Sequence, residues 1–188
     1  IIDGGSLRAN WALTAQQGSQ VDLGFFTDAT SALTVMLGAD GTSGSATGGG
    51  IGTDVLIDIE MVLGSPYNDV IHGSNRAVTE IFRGSAGNDT LQGGSGTGTD
   101  LGLNYADYRS GAGAVTVSLA TGSASGADGN DALSGMNGII SGNFNDALTG
   151  DALDNYFDAG GGDDTLDGGA GWDALSYTNA SGGVNVNM

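Results

Sequence analysis

Nine residues near the end of the chain read Gly168-Gly169-Ala170-Gly171-Trp172-Asp173-Ala174-Leu175-Ser176, with glycine at positions one, two and four, aspartate at six and leucine at eight. Residues 49–57 match the same pattern at every fixed position. In the second half of the chain an apolar residue follows each sixth position two residues later. The sixth positions step by nine through Asp146, Asn155, Asp164 and Asp173. A fixed short period indicates that one small structural unit is stacked repeatedly.

A longer repeat contains the nine-residue one. Six polar positions of 54–100 recur in 131–173 at offsets of 77, 77, 77, 75, 75 and 73 residues. The matched pairs are Asp54 and Asp131, Glu60 and Asn137, Asp69 and Asp146, Glu80 and Asn155, Asp89 and Asp164, and Asp100 and Asp173. Offsets this similar indicate an internal duplication with small insertions. We therefore predict a first unit over 1–100, with a degenerate opening repeat and the repeats of 49–100, a second unit over 101–178, and the start of a third over 179–188.

Each unit also contains a segment in which apolar and non-apolar residues alternate. Such segments cover 33–37, apart from Met36, and also 115–119 and 184–188. Alternation with a period of two is the signature of a strand with one buried face. No segment shows the 3.6-residue period of a helix, and each interior glycine would cost a helix about 1 kcal/mol. The chain is therefore expected to be all-β.

The composition is dominated by glycine and aspartate. The 188 residues include 37 glycines, no cysteine, and 22 acidic against 4 basic residues, for a formal net charge of −18. This charge opposes compaction unless cations neutralise it, and there is no basic patch to bind nucleic acid. No run approaches the roughly 18 apolar residues of a membrane span. A glycine-rich chain could also be disordered, but disorder does not require aspartate and leucine in one fixed phase.

A nine-residue unit suits a six-residue turn followed by a three-residue strand. Glycine allows the turn to adopt positive φ angles, and the apolar eighth residue is the one that needs burial. Two units form one coil of a right-handed parallel β-roll or β-helix solenoid, which is the fold we predict. Turns two repeats apart then stack. One side is expected to stack Asp54, Asp69 and Asp89, then Asp131, Asp146 and Asp164; the other side Glu60, Glu80 and Asp100, then Asn137, Asn155 and Asp173.

Carboxylates in one column would repel each other, because neighbouring strands lie about 4.8 Å apart. A Ca²⁺ ion between turns removes this repulsion and accepts about six to eight oxygen ligands. The repeat turns lack histidine and cysteine ligands, which argues against zinc or copper, and flexible turns fit the strict octahedron of Mg²⁺ poorly. We therefore expect several calcium ions in the turns. Their expected sites include Asp54, Asp69, Asp89, Asp100, Asp131, Asp146, Asp164, Asp173 and Asn155, with the turn glycines Gly49, Gly52, Gly87, Gly162 and Gly171.

The chain resembles the RTX, or haemolysin-type, calcium-binding repeats of bacterial exported proteins over essentially its whole length. Segments 64–69, 84–91 and 141–146 are similar to common variants of that repeat, and the segments around Tyr108 and Tyr177 resemble the spacer strands between its repeat blocks. The resemblance implies a parallel β-roll, calcium in the turns, and export by a type I system into a calcium-rich medium. It therefore implies a secreted, extracellular or cell-surface location.

Other chemistry has little support in the sequence. His72 is the single histidine and is expected to lie on the surface, because no nucleophile motif accompanies it. Neither G-x-S-x-G nor H-E-x-x-H occurs. Paired carboxylates could serve a glycosidase and aromatic side chains could stack on sugars, but metal binding and cover for a thin core explain them more simply. We expect no enzymatic activity from this chain.

These observations favour a structural role. We expect a calcium-binding segment of a large exported bacterial protein, such as a surface layer, an adhesin stalk or an extracellular fibre. The alternative is an RTX accessory or secretion module of a secreted enzyme of the protease, lipase or alginate epimerase type. Polar end caps, which natural repeat proteins use, are not visible at Ile1-Ile2 or at 184–188, so we expect self-association or continuation in a longer array. No transmembrane segment and no nucleic-acid partner are expected.

Overall fold

A computed structural model describes residues 23–39, 42–94 and 102–178. In these parts of the chain every regular element is a β-strand, which confirms the all-β class. Within the same residues no helix is long and apolar enough to cross a membrane. The strands are β1 Leu23–Phe25, β2 Leu33–Met36, β3 Gly44–Gly48, β4 Gly52–Leu56, β5 Met61–Leu63, β6 Val70–His72, β7 Glu80–Arg83, β8 Thr90–Gln92, β9 Asn104–Asp107, β10 Val115–Ser118, β11 Ser123–Gly126, β12 Gly129–Ser134, β13 Gly138–Ile140, β14 Ala147–Thr149, β15 Tyr156–Asp158, β16 Thr165–Asp167 and β17 Ala174–Ser176.

The strands are divided between two sheets. The seven-stranded sheet has the order β1-β5-β7-β9-β13-β15-β17, and all of its pairs are parallel. The ten-stranded sheet has the order β16-β14-β10-β11-β12-β8-β6-β2-β3-β4. From β5 to β9 and from β13 to β17, each strand lies in the opposite sheet from the strand before it. Neighbouring strands of one sheet are therefore two repeats apart in these segments, which is the spacing that two units per coil predict.

The ten-stranded sheet is mixed, whereas the sequence predicts parallel pairing throughout. Strands β2, β3 and β4 form an antiparallel meander, and β10, β11 and β12 form a second one. The middle strands β3 and β11 come from Gly/Ser-rich stretches. In both meanders, glycine-rich turns let the chain reverse direction in a hairpin instead of completing a coil.

Residues 49–57 match the nonapeptide pattern but do not form a turn followed by a three-residue strand. Gly49, Gly50 and Ile51 instead connect the antiparallel strands β3 and β4, and Gly48 pairs with Gly52. The φ angles of Gly49, Gly50 and Gly52 are 56°, 76° and 84°. Positive φ suits a tight hairpin as well as a repeat turn, so the glycine pattern alone cannot distinguish the two.

Elsewhere the predicted combination of a six-residue turn and a three-residue strand is present. Six such turns occur within the described residues, and each ends in aspartate or asparagine: 64–69, 84–89, 141–146, 150–155, 159–164 and 168–173. The alternating segments form β2 and β10, whose first and third residues are buried. The opening repeat, the boundary between units at 100 and 101, and the alternating segment 184–188 lie outside the described residues.

The middle residues of the short strands form one thin core between the sheets. Val62, Phe82, Ile139 and Phe157 contribute from the seven-stranded sheet, and Ile71, Leu91 and Leu148 from the ten-stranded sheet, each with at most 2% of its surface exposed. One buried apolar side chain per nine residues offsets only part of the chain entropy lost on folding. The turns must therefore contribute to stability as well.

Candidate metal-binding turns

Five aspartates lie in two stacks along the ten-stranded sheet, four of them directly before a strand and Asp131 within β12. Val70 pairs with Thr90, and Thr90 with Ala132, so the residues that precede them are neighbours in the first stack. The parallel pairing of β14 with β16 creates the second stack in the same way. We call these five residues the aspartate column: Asp69, Asp89 and Asp131, then Asp146 and Asp164.

Asp54 does not stack on Asp69, in contrast to the prediction. Strand β2 rather than β4 pairs with β6, so Leu33 takes the neighbouring position and donates its amide to Asp69 Oδ1 at 2.8 Å. Asp54 lies instead in β4, the last strand in the order of the ten-stranded sheet, opposite Ala46 of β3. Its side chain is buried, and neither carboxylate oxygen has a hydrogen-bond donor.

Asp131 likewise does not stack on Asp146. Val115 of β10 takes the position beside Asp146 and donates its amide to Asp146 Oδ1 at 2.8 Å. Asp131 lies beside Asp89 of the first unit, where its Oδ1 accepts the Asp89 amide at 2.8 Å and its Oδ2 accepts the Tyr108 hydroxyl at 2.9 Å. In both units, the antiparallel meander separates aspartates that the sequence period alone would stack.

One carboxylate oxygen of a column aspartate holds the backbone of the neighbouring turn. The Asp69 amide donates to Asp89 Oδ1 at 2.7 Å, and the Asp146 amide donates to Asp164 Oδ1 at 2.9 Å. The other oxygens of Asp89 and Asp146 are buried and accept no hydrogen bond. A buried carboxylate oxygen without a donor costs free energy unless a proton or a cation neutralises it.

Burial raises the pKa of several carboxyls on this side of the molecule. The pKa of Asp89 is raised to about 7 by burial and by the charges of Asp131 and Asp69, although the hydrogen bond from the Asp69 amide opposes the shift. Burial also raises the pKa of Asp131, Asp164 and Asp54. Raised values indicate that protein groups compensate the negative charge only weakly, so a cation is favoured there.

Four of the six turns have glycine at position one and three have it at position four, and the two positions favour glycine for separate reasons. At position one the carboxylate of position six lies over the backbone, and a Cβ on Gly84 would come within 2.0 Å of Asp89 Oδ2. Where position four is glycine, its φ lies between 117° and 131°, and a Cβ on Gly162 would lie 2.2 Å from the carbonyl oxygen of Phe144 in the neighbouring turn. The position-four glycines are Gly87, Gly162 and Gly171. They allow stacked turns to approach with carbonyl oxygens against the backbone.

A second ladder of hydrogen bonds, absent from the sequence-based prediction, runs along the fifth turn position. Asn68 Oδ1 accepts the Asn88 amide at 2.8 Å, and Asn145 Oδ1 accepts the Asp163 amide at 2.9 Å. In these bonds the later turn donates to the earlier one, whereas in the aspartate bonds the earlier turn donates to the later one. The available signal was the dipeptide Asn-Asp, which recurs at 68–69, 88–89 and 145–146.

A second column of residues, which we call the opposite column, lies along the seven-stranded sheet. Its members precede or begin strands of the seven-stranded sheet: Glu60, Glu80, Asn104, Asn137, Asn155 and Asp173. Asn104 occupies the level at which the sequence predicts Asp100, which lies outside the described residues. The neutral members are satisfied by the backbone, because Asn137 Oδ1 accepts the Asn104 amide at 2.6 Å and Asn155 Oδ1 accepts the Asp151 amide at 2.8 Å.

The aspartate column offers the oxygen ligands that calcium prefers. Asp89 and Asp146 each provide a buried oxygen without a donor, and the stacked turns provide carbonyl oxygens that Ca²⁺ also accepts. Among the described residues, no three His, Cys, Asp or Glu side chains converge on one point. A calcium ion here would therefore depend on carbonyl oxygens as well as on carboxylates. His72, partly exposed, has its Nδ1 2.8 Å from Gln92 Oε1.

Comparison with known families agrees with this chemistry. A family model of the RTX calcium-binding nonapeptide repeat matches the chain in four copies, over residues 79–97 and 140–176. These two segments therefore carry RTX repeats, and such repeats bind calcium ions, which confirms the expected kind of repeat and the expected ion. The matched residues include three members of the aspartate column but not the hairpin at 49–57. A search among curated proteins returned no match.

Proposed function

We propose that this chain is a calcium-stabilised, right-handed β-roll segment of a large exported bacterial protein, with calcium in the turns of the aspartate column. The observation that carries the proposal is the pair of buried oxygens, on Asp89 and Asp146, that have no donor within turns of the RTX type. RTX repeats suggest a calcium-binding segment of a secreted protein in general. The structural role and the location of the ions are specific to this proposal.

Calcium would neutralise the carboxylates of the aspartate column, and the chain itself orients them. The Oδ1 atoms of Asp89 and Asp164 hold the amides of the neighbouring turns, which fixes each carboxylate. The glycines at positions one and four give the carboxylates and carbonyls the space that they need. Because the apolar core is thin, folding depends on the ions, so the chain would stay unfolded at low calcium and fold after export.

A structural segment is favoured over an accessory module of a secreted enzyme by the continuity of the sheets. Strand β9 pairs with both β7 and β13, and β8 of the first unit pairs with β12 of the second. The described parts of the two units therefore share both sheets. Continuous sheets suit an extended array that bears load along its axis. The proposed role is not enzymatic.

Counting bound calcium tests this function directly. Isothermal titration of the wild-type chain should show several calcium ions, and the Asp89→Asn/Asp146→Asn variant should bind fewer. Asp28→Asn is the matched control, because Asp28 is exposed and lies outside the column. An unchanged calcium count in the double variant would contradict the proposed sites.

We also propose that copies associate end to end. Among the described residues, strands β16 and β17 are the last members of their sheets at one end, and Leu175 of β17 is 40% exposed whereas its neighbour Phe157 is buried. An unpaired strand edge can pair with another chain, and calcium would reduce the repulsion between copies of charge −18. Light scattering with and without calcium tests this association. A calcium-loaded monomer at high concentration would exclude it.

A further inference from the structure

Two glutamates occupy neighbouring levels of the opposite column. Met61 of β5 pairs with Ile81 of β7, which places Glu60 beside Glu80. Glu60 is 9% exposed and Glu80 only 1%. Two buried carboxylates on adjacent strands repel each other unless positive charge lies close to them. This level of the column therefore needs a counter-ion.

The connection between β6 and β7 has an unusual length and contains an arginine. From Gly73 to the column residue Glu80 it spans eight residues, against six in the turn 64–69. Its start resembles that turn, because the Arg76 amide donates to Ser74 Oγ at 3.2 Å as the amide of Tyr67 does to Ser65 Oγ at 3.3 Å. Tyr67 is 42% exposed, whereas the side chain of Arg76 is only 16% exposed.

The Arg76 guanidinium contacts two carboxylates directly. Its Nη1 donates to Glu60 Oε1 at 3.0 Å, and its Nη2 lies 3.4 Å from Asp58 Oδ1. Burial raises the pKa of Glu80, while hydrogen bonds from Ser74 and the charge of Arg76 oppose that shift. The Ser74 amide donates to the Glu80 carboxylate at 3.0 Å. Groups of the protein itself therefore compensate negative charge on Glu60 and Glu80.

The distribution of arginine differs between the two sides of the molecule. Arg83 and Arg109 both bond Asp107 of β9, at 2.6 Å and 2.9 Å. The ion pairs of Arg76, Arg83 and Arg109 with described carboxylates therefore lie beside the seven-stranded sheet or the opposite column. In the aspartate column, by contrast, Asp89 and Asp146 retain buried oxygens without a donor.

We propose that Arg76 is the built-in counter-ion of the Glu60–Glu80 level and that this level takes no calcium. The guanidinium is permanently charged, and calcium could replace it only by breaking the ion pairs of a partly buried arginine. Arg76 therefore determines which turns of the first unit bind the metal: calcium is directed to the aspartate column. This inference rests on the proposed function, because it concerns the distribution of calcium within the same β-roll.

Native mass spectrometry of the calcium-loaded chain tests the inference. Glu60→Gln should bind as many calcium ions as the wild type, while Asp146→Asn should bind at least one fewer. A lower count for Glu60→Gln would overturn the role assigned to Arg76. If the wild type bound no calcium, or if Asp146→Asn kept the full count, the proposed function would fail instead, so the two failures are distinguishable.

A second measurement tests the counter-ion directly and does not depend on the count. Arg76→Gln leaves buried glutamates without their cation, so the calcium concentration at half-folding should rise by roughly fivefold. Arg76→Gln combined with Glu60→Gln should fold at a lower calcium concentration than Arg76→Gln alone, because one of the unpaired charges is removed. A double variant no better than the single variant, or a single variant with the wild-type midpoint, would overturn the proposal.

Discussion

The Asp69 amide donates to Asp89 Oδ1 at 2.7 Å, while Asp89 Oδ2 remains buried and accepts no hydrogen bond. One oxygen of the carboxylate is thus used to orient the side chain and to hold the neighbouring turn. The other oxygen carries charge that the protein does not compensate. Asp146 shows the same division, with its Oδ1 bonded by the Val115 amide and its Oδ2 without a donor. The chain therefore fixes the direction of its ligands and leaves their neutralisation to a cation.

Calcium-driven folding is expected to weaken as the pH falls below about 7. The pKa of Asp89 is raised to about 7, so near pH 6 calcium must displace a proton from the folded chain. Without calcium, the contribution of Asp89 to the free energy of unfolding is fully present below about pH 4 and is lost as the pH rises through about 7. Calcium titrations followed by circular dichroism at about pH 6, 7 and 8 should show the highest midpoint concentration at the lowest pH.

The variant Asp89→Asn tests whether protonation of Asp89 causes this pH dependence. The calcium concentration at the midpoint of folding should be higher for this variant than for the wild type. This concentration should, however, change less between about pH 6 and pH 8. The exposed Asp28 provides the matched control, and Asp28→Asn should keep the wild-type dependence. If Asp89→Asn retained the full pH dependence, the raised pKa of Asp89 could not be its cause.

Substitutions in the two columns are expected to differ in their effect on calcium affinity. Asp69→Ala or Asp146→Ala removes a charged oxygen ligand, and the calcium midpoint should rise by about tenfold. Asn155→Ala removes a neutral amide that bonds the Asp151 backbone, and should cost about 1 kcal/mol of stability with little change in calcium affinity. Equal metal density on both sides of a calcium-bound crystal structure would contradict this asymmetry.

The substitution Ser85→Gly is expected to stabilise the calcium-bound chain. Ser85 has φ of 77°, a region that is strained for any residue with a Cβ, and its hydroxyl makes only a long contact of 3.4 Å with the Gly64 carbonyl oxygen. Urea unfolding should show a gain of about 0.5–1 kcal/mol, because relief of strain exceeds the added chain entropy. Ser65→Gly is the contrasting variant: its hydroxyl bonds Asp69 Oδ1 at 2.8 Å, so stability should fall. A loss of stability in Ser85→Gly would show that the backbone at Ser85 is not strained.

Tyr108 and Phe26 occupy equivalent positions in the two units. The Tyr108 amide donates to the carbonyl oxygen of Ile140 at the end of β13, and the Phe26 amide donates to that of Leu63 at the end of β5. Burial and the nearby charge of Asp131 raise the pKa of the Tyr108 hydroxyl, which keeps it protonated as a donor. Only the second unit therefore has a hydroxyl at this position.

The substitutions Tyr108→Phe and Phe26→Tyr should have opposite effects on the stability of the fold. Tyr108→Phe removes the donor to Asp131 Oδ2 and should cost about 1–3 kcal/mol in urea unfolding. Phe26→Tyr should give Asp54 a donor by the same geometry and lower the calcium midpoint of folding. Two destabilised variants would show that the positions are not equivalent in chemistry.

The periodic part of the structure could be predicted from sequence because it depends on near neighbours. Repeats two units apart pair in register, so two steps of nine place Asp146 beside Asp164, and Asp69 lies beside Asp89 in the same way although the spacing there is longer. The glycine at position one is explained by the carboxylate five residues later, which is again a local relationship. Period and composition were sufficient for these features.

The remaining features depend on pairing between distant strands, which leaves no period. The Gly/Ser-rich strand β3 pairs antiparallel with both β2 and β4, and this insertion moves Asp54 away from Asp69. Asn104 carries no repeat signal, yet it completes the opposite column. The contact of Arg76 with Glu60 spans 16 residues and depends on a connection of non-standard length. Neither charge nor glycine spacing specifies such contacts.

Circular dichroism of the 188-residue chain, first in excess chelator and then with added calcium, tests the central claim that calcium neutralises the aspartate column and thereby folds the chain. The core is thin, so ion binding must supply much of the folding free energy. We expect little strand signal in chelator and a cooperative gain at about 0.1–1 mM calcium, the range of extracellular calcium modules. The same strand signal in chelator as in calcium would contradict the claim.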